Sequence, residues 1–183
     1  MDRNSALGLL RSHVREDALV KHCIATAAIM KTVAIPLGGD PVLWEVIGIL
    51  HDIDFEEVQG DMQRHGIAGA AILESAGLSG EISGIVAGHN PFIHDGPYER
   101  PVEIALQAAD SASGLIIACA LVKGRNLSDV SVRTITKKAK EKSFAAGCDR
   151  GRIALITRLM DIPVFYDHAL QGMKEVRSDL GLQ

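Results

Sequence analysis

The chain is 183 residues long, with 47% hydrophobic and 23% charged residues, which suggests one domain with a well-filled core. Its formal charge of −4 excludes a general electrostatic attraction to nucleic acid. The apolar run Gly114–Val122 falls far short of the ~20 residues that span a bilayer, so no membrane segment is expected.

The start, Met1-Asp2-Arg3-Asn4, leads into a polar amphipathic stretch and not into an apolar signal core. Cys23, Cys119 and Cys148 are odd in number, far apart and without a Cys-x-x-Cys pair, which reads as reduced thiols in a cytoplasmic protein. Aromatics make up only 4%. With Ala, Leu, Ile and Gly abundant, this favours packed helices over a β-sandwich, and the fold class expected is all-α.

Taken in chain order, a helix is predicted over about 5–15 and another from Asp17 to about Pro36, where Leu37-Gly38-Gly39 breaks the chain. Asp40 caps the next helix, with Pro41 at its first position, and this helix runs through Trp44 and Ile47 to His51-Asp52. After a polar loop over 55–64, a helix over about 65–76 stops at Gly77, and Ser79 caps one that reaches about Asn90, before Pro91. Beyond the loop 91–100, Pro101 opens a long apolar helix to about Val122. A Lys-rich helix over about 131–142 follows, then helices over about 149–160 and 163–180. With no repeat or linker, residues 1–183 read as one domain, with a core over about 18–122 and a helical appendage over about 128–183.

The helical period puts several polar side chains on apolar faces. His22 has Ala18, Ala25 and Ile29 as stripe neighbours, and His51 follows Trp44 and Ile47. His89 sits above Ile82, Ile85 and Val86, while His65 precedes Ala68, Gly69 and Ile72. Asp110 shares its stripe with Leu106, Gly114 and Ile117. A single histidine on such a face is usually a hydrogen-bonded core residue. Burying this many titratable groups without a common partner would cost several kcal/mol each, on the order given by desolvation. A shared divalent cation removes that cost, since neutral imidazoles and carboxylates are the ligands such ions take.

The stretches Lys21-His22-Cys23-Ile24-Ala25, Gly48-Ile49-Leu50-His51-Asp52-Ile53-Asp54 and Ala108-Ala109-Asp110-Ser111-Ala112-Ser113-Gly114 carry an ordered set, His…His-Asp…Asp. It resembles the HD-domain superfamily of metal-dependent phosphohydrolases over about residues 18–122. The resemblance implies an HD-type helical bundle with additional C-terminal helices. It also implies that His22, His51, Asp52 and Asp110 ligate a divalent transition metal (Mn, Fe, Co, Ni or Zn). Binuclear members add two histidines between the doublet and the last Asp, and the doublet Asp bridges both ions. His65 and His89 stand at fitting positions, so one or two ions per chain are expected. Where many binuclear members have adjacent histidines, this chain has His89-Asn90. Where some cyclic-dinucleotide phosphodiesterases have Gly and Lys after the doublet, it has Asp54 and Phe55.

The activity implied is metal-dependent hydrolysis of a phosphoester or phosphoanhydride, in a nucleotide or related small phosphate, by activated water. In some HD enzymes an acidic residue just past the doublet handles protons, which makes Asp54 and Glu56 candidates beside Asp52, on what should be the rim. Arg64, Lys21 or the Lys123-Gly124-Arg125 turn could supply positive charge to the substrate, whereas the 137–142 lysine run reads as a solvated face. Two rivals remain open: a di-iron oxygenase on the same six ligands, and a non-catalytic metal- or nucleotide-binding module.

Overall fold

The Asp2 carboxylate accepts the Ser5 N–H at 2.8 Å, so the first helix, α1 (Arg3–His13), starts ahead of the apolar pattern that suggested residue 5. In this computed structural model, which describes residues 1–183, the chain continues through α2 (Asp17–Ala34), α3 (Pro41–Leu50), α4 (Phe55–Val58), α5 (Ile67–Ser75) and α6 (Gly80–Gly88). It then forms α7 (Pro101–Leu121), α8 (Val132–Ala139), α9 (Arg150–Ala154) and α10 (Ile162–Glu175), with 3-10 turns at Leu127–Asp129 and Leu155–Arg158. There is no strand, as the all-α expectation has it.

Several boundaries differ from expectation for local reasons. Helix α2 ends at Ala34, where Pro36 has no N–H to continue the helical ladder. Residues 55–64 were expected as loop, yet α4 forms one turn before Gln59 adopts a left-handed conformation at φ 52°. The single helix expected over 149–160 starts where Asp149 caps Gly151 and Arg152, but is α-helical only to Ala154 before tightening into a 3-10 turn. Asp40 accepts from Val42 and Leu43 at 2.9 and 3.3 Å and starts α3 where expected.

Helix α2 is the axle of the fold. Nearly every residue from Cys23 to Ala34 is buried, because α3, α7 and α10 surround it. Helix α3 approaches α2 most closely at Gly48: a Cβ there would lie 2.5 Å from the Ala27 Cα and 2.9 Å from its backbone nitrogen. Only glycine lets the backbones meet so tightly, and the approach brings the end of α3, with His51, against the middle of α2, with His22. Helices α5 and α6 pair as a hairpin alongside.

Helix α7 has the length and hydropathy of a bilayer-crossing helix, which the shorter run counted in the sequence did not reveal. Its apolar surface is accounted for by packing, with 72% of its most apolar window buried against α2, α8 and α9. The three cysteines are unpaired, with Cys23 and Cys119 buried. The tail closes on the turn after α7: the Leu127 N–H donates to the Gln183 carbonyl at 2.7 Å, and the Gln183 N–H donates to that of Arg125 at 2.9 Å.

Candidate metal centre

Asp52 stands where α3 ends, and its two oxygens face opposite ways. Oδ2 lies 3.5 Å from His22 Nε2 and 3.4 Å from His51 Nε2. Oδ1 lies 3.3 Å from His65 Nε2 and 3.2 Å from His89 Nε2. One carboxylate therefore joins two clusters, His22–His51–Asp52 and Asp52–His65–His89, each with ligand atoms close enough to share an ion. Asp110, on α7, completes the first cluster with Oδ1 3.1 Å from His22 Nε2. All six residues singled out in the sequence as candidate ligands converge here.

The local backbone explains the convergence. His51 and His89 occupy the C-terminal caps of α3 and α6, where helix ends point side chains into the bundle. His65 lies in the turn ahead of α5, not on the helix as expected. Gly66 follows at φ 85°, a left-handed conformation that glycine adopts freely. Asn90 fastens that turn to the end of α6, its Nδ2 donating to the Met62 and His65 carbonyls at 2.7 and 3.0 Å.

The other ring nitrogen of every histidine is engaged. His51 Nδ1 donates to the Gly48 carbonyl at 2.9 Å and His89 Nδ1 to that of Val86 at 2.5 Å. His65 Nδ1 donates to Asp54 Oδ1 at 2.9 Å. The Ser113 hydroxyl, which itself donates to the Asp110 carbonyl at 2.7 Å, accepts from His22 Nδ1 at 3.2 Å. With Nδ1 holding the proton, each Nε2 lone pair is directed at the cluster centre, the arrangement that orients imidazole for a metal. His51 Nε2 is buried and has no hydrogen-bond partner in the protein. An orphaned ring nitrogen facing two carboxylates is the donor that a divalent cation would satisfy, so the residues fit such an ion.

Burial and the neighbouring side-chain charges together set strong pKa shifts. Burial pulls His51 down to about 4. Burial also opposes charge on His65, but hydrogen bonds to Asp52 and Asp54 outweigh it and push the ring up to about 9. For His22, burial is likewise overcome by the hydrogen bond to Asp110 and the charges of Asp110 and Asp52, so its pKa is raised. Burial would raise the carboxyls of Asp52 and Asp110, but the surrounding imidazoles hold both well below the usual carboxylate range.

The acidic residues after the doublet are not on the rim. Asp54 is fully buried; besides His65, its Oδ2 accepts from the Gly66 and Gly69 N–H groups at 2.7 and 2.8 Å. Both oxygens are thus engaged within the protein, one on the His65 ring and the other on the turn that carries it. Glu56 Oε1 accepts from the Arg15 and Glu16 N–H groups and fastens the α1–α2 turn.

None of the cations expected at the site lines the cavity over the cluster. Lys21 pairs with Asp17, Arg125 donates to the Gly181 carbonyl, Lys123 lines a surface groove with Lys137 and Lys138, and Arg64 is exposed. The cation that reaches the centre is Arg152 of α9, its Nη2 2.6 Å from Asp110 Oδ2. Its Nε donates to Gln107 Oε1 at 2.6 Å, and Gln107 Nε2 donates to the His89 carbonyl at 2.7 Å. Gln107, three residues before Asp110 on the same face of α7, carried a sequence signal that went unread. Arg152 carried none, because no spacing links α9 to the core.

Phe55, Met62, Asn90 and Pro91 join Asp52, His65, His89, Asp110 and Arg152 in lining a cavity of about 190 Å³ over the cluster. His13 lies in a separate groove between α1 and α5, His94 stacks on Tyr98 at 4.0 Å between ring centres, and the His168 carbonyl accepts from Thr32. None of these three joins the cluster. A family model described as HD domain matches residues 19–115, more than half of the chain. No curated protein and no solved structure matches.

Proposed function

The chain belongs to the HD domain family, and on that premise we propose that it is a metal-dependent phosphohydrolase acting in the cytoplasm on a nucleotide or related small phosphate. The observation that carries this reading is the two-sided placement of Asp52, with a pair of imidazole Nε2 atoms facing each oxygen. His22, His51, Asp52 and Asp110 would hold one divalent ion, and Asp52, His65 and His89 a second. Such ions, when bound, lower the pKa of water toward neutrality and neutralise charge on phosphoryl oxygens.

The protein's own contribution is orientation. Asp54, Ser113 and the Gly48 and Val86 carbonyls fix the four imidazoles in one tautomer, so no reorganisation is needed when substrate arrives. The apolar lip of Phe55, Met62 and Pro91 limits water around the phosphoryl group. In the hydrolysis, the water oxygen joins phosphorus, the bond from phosphorus to the leaving oxygen breaks, and a proton from water ends on that oxygen.

The test is a screen of nucleotides and generic phosphoesters with Mn²⁺, Fe²⁺, Co²⁺, Ni²⁺ and Zn²⁺. The expected result is phosphate or alcohol release that Asp52→Ala abolishes. Iron-dependent oxygen consumption without hydrolysis would contradict the reading in favour of an oxygenase, and tight nucleotide binding without turnover in favour of a binding module.

A further inference from the structure

The guanidinium of Arg152 is held on one side and free on the other. Gln107 takes Nε and the Asp110 carboxylate pairs with Nη2, its Oδ2 2.6 Å away, while no protein acceptor takes Nη1. The side chain is 20% exposed, and that exposure faces the cavity above Asp52, His65 and His89. Nη1, left without a protein acceptor on a guanidinium at the cavity wall, suits a phosphoryl oxygen, since Arg donates charge-assisted hydrogen bonds to phosphate.

We propose that Arg152 is the phosphate-binding and specificity-determining residue of this site, and that it selects a terminal phosphoryl group, as in a phosphomonoester, over an internal diester. The proposal rests on the phosphohydrolase reading. Oxygen count gives the selectivity: a terminal phosphoryl has three unesterified oxygens, enough to face both clusters and the Arg152 fork, whereas a diester has two and leaves one of these partners unfilled. Size agrees. A cavity of about 190 Å³ is smaller than the ~300–1,000 Å³ of sites that enclose a whole small molecule, so it takes the phosphoryl head and leaves the rest of the substrate outside. Gln107 is a positioning residue here, acting through Arg152.

The test uses the full chain loaded with Mn²⁺, inorganic phosphate as the probe in calorimetry, and the paired substrates p-nitrophenyl phosphate and bis(p-nitrophenyl) phosphate. Arg152→Gln should keep its metal content and melting temperature, weaken phosphate binding by about tenfold or more, and raise KM for the monoester but not for the diester. Arg152→Lys should recover part of the phosphate affinity, as a point charge lacking the fork. Phosphate binding unchanged in Arg152→Gln would overturn the proposal alone, as would a wild-type preference for the diester. Loss of metal in Arg152→Gln would overturn it too, by making the arginine a support for Asp110. If the metal-loaded wild type bound no phosphate, the phosphohydrolase reading would fall and this proposal with it.

Discussion

Asp54 Oδ1 lies 2.9 Å from His65 Nδ1, while its Oδ2 receives two backbone N–H groups from the start of α5. The carboxylate therefore fixes the ring and the turn that carries it. Asp54→Asn would place an amide N–H₂ against two N–H donors or against the ring N–H. Metal affinity should fall by about 10–100-fold, the usual cost of losing a partner that orients a ligand. Competition with a chelator measures this, and unchanged affinity would remove Asp54 from that role.

Metal stoichiometry separates the two clusters. His65→Ala or His89→Ala should lower metal content by about one ion per chain, because each belongs to only one cluster. Asp52→Ala should empty both, since its two oxygens serve both. Elemental analysis of the purified variants checks this; equal content in wild type and the His65 and His89 variants would leave a single ion.

The pH dependence of stability should reverse with metal loading. His65, raised to about 9, contributes stability that is fully present below about 6.5 and is lost as pH rises through 9, and His22, also raised, adds with the same sign. The chelator-treated protein should therefore melt at lower temperature as pH climbs over that window. Metal needs the same rings unprotonated, so the loaded protein should gain stability over the same window and metal uptake near pH 7 should release protons. Melting curves with and without metal, and calorimetry in buffers of different ionisation enthalpy, test both signs.

Gly48→Ala forces a methyl group into the Ala27 backbone. The helices must separate, at a cost of about 1–3 kcal/mol in stability, and the separation carries His51 away from His22. A lower melting temperature accompanied by weaker metal binding is expected. Stability loss with unaltered metal affinity would show that the α2–α3 contact does not set the site.

Much of this centre was readable because helical periodicity places His22, His51, His65, His89 and Asp110 on apolar faces, while Asp52 and the ligand roles were implied by the resemblance of the ordered set His…His-Asp…Asp to the HD-domain superfamily. His65 and His89 as ligands were implied by the likeness to binuclear members of that superfamily. What was missed depends on contacts that local pattern does not encode. Asp54 read as a rim carboxylate because nothing in 55–64 signalled the tight turn that folds Gly66 and Gly69 over it. Arg152 was invisible because its partners Asp110 and Gln107 lie on α7, far away in the chain. Helix ends were displaced wherever a cap such as Asp2 outweighed the apolar pattern.

Six side chains far apart in the chain converge around Asp52, and we propose that they do so to share divalent cations. Anomalous diffraction from crystals grown with Mn²⁺ or Zn²⁺, collected on either side of the metal absorption edge, addresses it directly. Two peaks flanking Asp52 are expected, one within about 2.0–2.3 Å of His22, His51 and Asp110 and the other equally close to His65 and His89. A well-ordered map with no peak in contact with Asp52 would contradict the account.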